Sequence, residues 1–344
     1  MEKLNYQEAS DYLRNNKHTW VLTGVAGFIG SNLLERLLDS QQIVVGLDNL
    51  STGHLGNIKD VTSKYDKTYI DQHFTFHEGD IKNIDTCQMI CANADFVLHQ
   101  AALGSVPRSV KDPISTHNSN INGFLNMCLA ARDNEIKRLI YASSSSIYGD
   151  HPSLPKVEDR IGNPLSPYAV TKLVNEIYAK NFSQTYGLET IGLRYFNIFG
   201  KRQDPEGEYA AVIPKWISTI LNNESIFING DGQTTRDFCY IENVIQANIL
   251  SALSTNHEAV NDVYNIAVNN TTSLLELFEI ISDILLKNID GLDIKEPTFR
   301  DFQDGDVRHS QGSIDKAKNL IGYDPSHTIR DGLEEAIHWY IENS

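Results

Sequence analysis

Two side chains four residues apart, Tyr168 and Lys172 in Pro167-Tyr168-Ala169-Val170-Thr171-Lys172, would share one face of a helix. An ammonium beside a phenol favours the phenolate, drawing tyrosine down from its ordinary value of about 10. Such a group is a general base for an alcohol. Upstream, the run Ser143-Ser144-Ser145-Ser146 leads into Ile147-Tyr148-Gly149 and offers a hydroxyl to the same phenol oxygen. Taken alone, the Tyr/Lys spacing recurs by chance, and a lysine stem lying along a half-buried tyrosine would produce it equally well.

A second constellation lies near the start. Thr23-Gly24-Val25-Ala26-Gly27-Phe28-Ile29-Gly30 joins an apolar run to a helical pattern. Glycines at 24, 27 and 30 permit a tight turn, close approach of backbone to a diphosphate, and close packing of helix on strand. The helix start, with Phe28 and Ile29, offers unpaired N–H groups and the positive end of the dipole. Asp48 follows 18 residues beyond Gly30, at the end of the next apolar run. A carboxylate there suits the adenosine ribose hydroxyls and repels a 2′-phosphate, so the pattern predicts NAD rather than NADP. Asp80-Ile81 and Gln100-Ala101-Ala102 fall at the ends of later runs, on the same expected edge. Asp80 reads either as a turn residue or as an adenine contact.

The elements that must position these residues are legible as alternation. Apolar runs at Trp20–Leu22, Ile43–Leu47, Phe74–Phe76, Phe96–Leu98, Leu139–Tyr141 and Thr190–Leu193 read as strands buried on both faces, with helices between them. One helix runs from about Tyr168 to Tyr186. The fold class is therefore α/β, a Rossmann-type doubly wound parallel sheet with a smaller, mostly helical substrate lobe. The nucleotide-binding domain spans 1–196, with an extra N-terminal helix in 1–18, and is rejoined by about 238–262. The substrate lobe takes 197–237 plus 263–344, including a helix that starts at Ser273 with a capping-box Glu276.

The 344 residues carry 29 Lys and Arg against 45 Asp and Glu, a formal charge of −16. That balance argues against a nucleic-acid partner, which requires clustered cations, though not against a phosphorylated small ligand. The start of the chain lacks the apolar region of a signal peptide, and no run approaches 18 apolar residues. No membrane partner and a cytoplasmic location are expected. Cys87, Cys91, Cys128 and Cys239 are too few and too scattered for a disulfide framework, and no His/Cys spacing suggests a metal.

Taken together, the motifs resemble the extended short-chain dehydrogenase/reductases, specifically the UDP-hexose 4-epimerases, over nearly the whole chain. TGVAGFIG is similar to the cofactor loop, and DNLSTG, with Asn49, Ser51, Thr52 and Gly53, to the ribose turn. HQAALGSVPRSV, SSSSIYG, YAVTK, RYFNIFG, GDGQTTRDFCYIENV and GDVRHS follow in the family's order. The resemblance implies Tyr168 as base, Lys172 as its partner that also reaches the nicotinamide ribose, and Ser144 as the catalytic hydroxyl, counted back from Tyr148-Gly149. It implies substrate contacts from Ser143, Ser144, Tyr168, Asn197 and Arg236. It implies Arg300 as a further phosphate contact, because Gln303 stands where an arginine is usual. Dehydratases of the family carry an Asp-Glu pair in the serine motif, and decarboxylating relatives a Glu near the same point. Ser145 and Ser146 stand at those positions here. A small residue, Ser310, and the Gly104-Ser105 segment resemble the branch acting on N-acetylated UDP-sugars. The expectation is thus an NAD-dependent 4-epimerase interconverting UDP-N-acetylglucosamine and UDP-N-acetylgalactosamine for surface polysaccharide. The alternatives are UDP-glucose/galactose or uronic forms, or a dehydratase. The resemblance also implies a homodimer joined by a helix bundle. A non-catalytic NAD-binding module would have lost Tyr168 or Lys172, and both are present.

Overall fold

The computed structural model describes residues 3–205, 211–302 and 308–343. Seven parallel strands form the central sheet: β1 (Thr19–Thr23), β2 (Ile43–Asp48), β3 (Phe74–Glu78), β4 (Phe96–His99), β5 (Arg138–Ser144), β6 (Thr190–Tyr195) and β7 (Asp262–Ile266). Their spatial order is β7-β6-β5-β4-β1-β2-β3. The order reverses between β1 and β4, and a crevice must open there at the carboxyl ends of the strands. Trp20, Val21 and Leu22 of β1 and every residue of β4 are buried, as expected of central parallel strands under helices. β3 departs from that expectation: it has one neighbour only, and Thr75 is exposed.

The seventh strand corrects the boundary drawn from sequence. The helix Ile241–Leu253, buried at every position but Glu242, returns to the sheet and leads into β7, which pairs with β6 from Asp262↔Ile191 to Ile266↔Tyr195. The nucleotide-binding sheet therefore continues past residue 262. Arg138 at the start of β5 satisfies the end of the returning helix, donating from Nη1 to the carbonyls of Ser251, Ala252 and Ser254.

The N-terminal helix is Tyr6–Asn15, closed by an Asn5/Glu8 capping box. It is tied below the sheet through Gln42, whose amide bonds Leu13 O, Asn16 O and the Trp20 indole. In the second lobe, helices Val212–Leu221, Leu274–Asn288 and Ile329–Glu342 accompany three short strand pairs. The Ser273/Glu276 capping box starts the second of these helices as expected.

Candidate active site

At the crevice between β1 and β4, Gly24 takes φ +72°, and a β-carbon there would lie 2.8 Å from the Ala101 nitrogen. A β-carbon on Gly30 would lie 2.0 Å from Gly24 O, so helix Phe28–Asp39, with Phe28 and Ile29 in its first turn, packs directly on the glycine turn. Asp48 ends β2. Its Oδ2 accepts from Ala26 N at 2.9 Å and its Oδ1 from Leu50 N at 2.8 Å, which ties the glycine turn to the loop beyond β2. Burial raises the Asp48 carboxyl above its usual range, and the two amides oppose that rise. Gly24, Gly27, Asp48, Asn49, Ser51, Thr52 and Gly53 line one cleft. Ile81, Gln100, Ala101 and Ala102 complete it. Bare backbone, a helix N-terminus and a buried acceptor are what a dinucleotide's diphosphate and ribose require.

Asp80 stands beside this cleft rather than in its lining, accepting from Asn49 Nδ2 at 2.9 Å and Lys82 N at 2.8 Å. Leu103 and Ser119 line the cleft and were not expected from sequence. Ser119 sits in a π-helical turn, Asn118–Asn122, that no apolar periodicity announces. Its neighbour Asn120 accepts from Leu103 N at 2.7 Å and donates to Thr171 Oγ1 at 3.1 Å, joining the cleft loop to the helix Pro167–Tyr186.

That helix carries Tyr168 and Lys172, with Ser166 as N-cap and Pro167 opening its first turn. The Ser144 hydroxyl lies near the Tyr168 phenol and lowers its pKa. Burial nevertheless raises the Tyr168 phenol, with the Ser144 hydroxyl opposing it, and pushes Lys172 down to about 8. The expected lowering of the phenol by the ammonium is therefore absent, for a geometric reason. Lys172 Nζ donates to Ala142 O at 2.8 Å and stands 5.9 Å from the Tyr168 ring centroid. Ser143 also departs from expectation. Adjacent strand residues face opposite ways, and the Ser143 hydroxyl donates to Glu176 Oε1 at 2.6 Å instead of sharing the Ser144 side.

A second cavity, of about 600 Å³, brings together Asn197, Arg236 and Arg300. That volume suits a small-molecule ligand. Asn197, at φ +28°, donates from Nδ2 to Asp237 O. Arg300 lies on Thr298–Arg300, paired with Phe227–Asn229, and its guanidinium stacks 3.2 Å from the Phe227 ring centroid. Phe227 and Trp216 line this cavity and were missed. Only the short apolar run Ile226-Phe227-Ile228 hinted at the first of them. Ser310 lies outside the lining but beside it, its amide donating to Thr235 O next to Arg236. Ser105 caps helix Val106–Lys111, and a β-carbon on Gly104 would meet open space. Gln303 and Gly305-Asp306-Val307 lie outside the described residues. Among the described residues no His, Cys, Asp and Glu cluster could hold a metal, and no helix is long and apolar enough to cross a membrane.

The profile of the NAD dependent epimerase/dehydratase family matches residues 20–267. A UDP-N-acetylglucosamine 4-epimerase from Methanobrevibacter ruminantium, solved with UDP-N-acetylmuramic acid, is 38% identical with a TM-score of 0.85, covering 96% of this chain and 100% of that one. A Thermotoga maritima UDP-glucose 4-epimerase with UDP-glucose is 31% identical, TM-score 0.84, covering 94% and 99%. A Bacillus cereus UDP-glucuronic acid 4-epimerase holding UDP-glucuronic acid and NAD is 31% identical, TM-score 0.81, again covering 94% and 99%.

Proposed function

This chain belongs to the NAD-dependent epimerase/dehydratase family, among its UDP-sugar 4-epimerases, and on that premise we propose that it interconverts UDP-N-acetylglucosamine and UDP-N-acetylgalactosamine. The observation that carries the choice of sugar is Ser310. A small side chain beside the Arg236 strand leaves room for an acetamido arm, where a bulky aromatic would fill it. Gly104, with open space around it, supports the same reading. For the reaction, Ser145 and Ser146 supply no acid near Tyr168 to assist loss of water or carboxylate, which favours epimerisation over dehydration or decarboxylation.

In this reading Tyr168 takes the proton of the sugar C4 hydroxyl, Ser144 holds that oxygen, and Lys172 fixes the nearby backbone and ribose. NAD supplies the acceptor for the C4 hydride and, once reduced, its donor. Asn197, Arg236 and Arg300 retain the diphosphate while the 4-keto sugar turns, so that hydride reaches its other face as Tyr168 returns the proton to the C4 oxygen. We also read the chain as a homodimer. Val110, Ile114, Val170 and Ile177 are exposed apolar residues on the packed helices Val106–Lys111, Pro113–His117 and Pro167–Tyr186. Light scattering during gel filtration tests that state.

The experiment for the sugar is NMR of the anomeric protons during incubation with UDP-N-acetylglucosamine and NAD. Appearance of UDP-N-acetylgalactosamine, with the same final ratio from either side, is expected. Turnover of UDP-glucose or UDP-glucuronate alone would overturn the Ser310 argument, and a dehydrated product would overturn the reading of the serine strand. The Ser310→Tyr variant should lose activity on the acetylated sugar by about tenfold or more relative to UDP-glucose, the scale on which pocket shape discriminates.

A further inference from the structure

Three consecutive residues of β5 are each tied to the helix Pro167–Tyr186 by side chains spaced four apart. Tyr168 meets Ser144, Lys172 meets Ala142 O, and Glu176 meets Ser143. The first two rungs belong to the chemistry. The third lines neither the nucleotide cleft nor the cavity of Asn197, Arg236 and Arg300, yet it is the most heavily built. Glu176 Oε1 accepts from Ser143 Oγ at 2.6 Å and Arg194 Nε at 2.9 Å, and Oε2 accepts from Arg194 Nη2 at 2.8 Å. The Arg194 and Glu176 side chains are 4% and 9% exposed.

Arg194 extends this rung. Its Nη1 donates to Tyr148 OH at 3.0 Å and Glu158 O at 2.8 Å, and Tyr148 OH donates to Asn265 Oδ1 at 2.6 Å. Asn265 Nδ2 donates to Lys156 O and Ser313 O, and Ser313 lies three residues beyond Ser310. The chain of bonds runs from the serine strand to the segment that flanks the sugar cavity.

We propose that Glu176 is a positioning residue, which through Ser143 holds β5 in the register that sets the Ser144 hydroxyl against Tyr168. A buried ion pair is weak evidence for stability, because its desolvation offsets its attraction and well-packed apolar residues often serve as well. A rigid bidentate fork does fix geometry, and catalysis is sensitive to errors of about 1 Å. The inference rests on Tyr168 and Ser144 being the reacting pair.

The test uses Ser143→Ala, which removes the rung at the strand and leaves the Glu176–Arg194 pair in place. The expected result is a fall of about tenfold in kcat with the UDP-sugar that the enzyme turns over, KM and melting temperature nearly unchanged, and recovery in Ser143→Thr. Glu176→Gln should lower kcat further, with some loss of melting temperature. A Ser143→Ala enzyme with native kcat, or one whose KM alone rises, would overturn the proposal. Tyr168→Phe and Ser144→Ala serve as references. If they keep full activity, the reading of the reacting pair has failed, and the role given to Glu176 fails with it for that separate reason.

Discussion

The nucleotide cleft and the cavity of Asn197, Arg236 and Arg300 lie in one chain but are made of different material. The first is mostly backbone: glycines with no room for a β-carbon, amides bonded to Asp48, and strand ends within residues 24–103 with Ser119 beside them. The second is mostly side chains, Asn197, Trp216, Phe227, Arg236 and Arg300, with Arg300 more than sixty residues beyond the others. A backbone cradle recognises what all its ligands share, a diphosphate and a ribose. A cavity of long side chains can be re-cut one residue at a time while the cradle stays the same. Relatives whose names carry N-acetylglucosamine, glucose and glucuronic acid share this fold closely. Such a spread is what separate construction of the two regions would allow.

Tyr168 and Ser144, the proposed reacting pair, line neither region, and they give the largest expected effect. Tyr168→Phe should lower kcat by about 10²–10⁴-fold, the range for loss of a general base. NAD and UDP-sugar affinities, followed by calorimetry, should stay near native. A large loss of either affinity would show that the phenol holds ligand as well as protons.

The next two effects cross the comparison. Gly30→Ala puts a carbon 2.0 Å from Gly24 O, so the turn or the helix must shift. A cost of about 1–3 kcal/mol in stability and at least a tenfold loss of NAD affinity are expected, with little change in sugar KM for the NAD-saturated enzyme. Arg236→Ala should do the reverse. It should raise the KM for the UDP-sugar by about 10–100-fold, as for loss of a charged hydrogen bond, and leave NAD affinity alone. Equal effects of either variant on both ligands would break the division between the two regions.

The same contrast explains what was legible in the sequence. The glycine turn, Asp48, Gln100–Ala102 and the Tyr168 helix are local patterns whose chemistry needs only neighbours along the chain, and six strands showed as apolar runs. β7, whose partner β6 lies some seventy residues earlier, escaped because Asp262 and Asn265 interrupt its apolar run. The stacking of Arg300 on Phe227 joins segments about as far apart, and neither residue announces the other. Ser143 differs. Strand alternation alone separates it from Ser144, and the reading by motif passed over that signal. The phenol of Tyr168 was misjudged because helical spacing gives a shared face without saying where an ammonium points, and Lys172 points at Ala142 O.

The smallest effect concerns how the sugar cavity's dispersed pieces are held. Asp237, fully buried beside Arg236, accepts from Val268 N at 3.0 Å and Gly312 N at 3.1 Å, while its carbonyl accepts from Asn197. It fastens Asn197, Arg236 and the segment after Ser310 to one point. Burial raises its carboxyl to about 7, with those backbone amides opposing. In the unfolded chain the group titrates near 4. Between about pH 4 and 7 the folded state therefore binds the extra proton, and this group's contribution to stability falls as pH rises through that window, then levels off. Asp237→Asn should melt lower than the native enzyme, since an amide cannot satisfy two amides as acceptor on both atoms. Its melting temperature should also drop less between pH 5 and pH 8 than the native enzyme's does. The difference between the two slopes isolates Asp237 from the chain's other carboxylates, and identical slopes would mean that the carboxyl stays ionised where it is buried. Asp48, the matching acid of the nucleotide cleft, is also raised by burial, but its amides come from Ala26 and Leu50, within the first strand–helix–strand unit. Loss of Asp237 should accordingly loosen contacts between distant segments and raise the sugar KM, whereas loss of Asp48 should act on NAD alone.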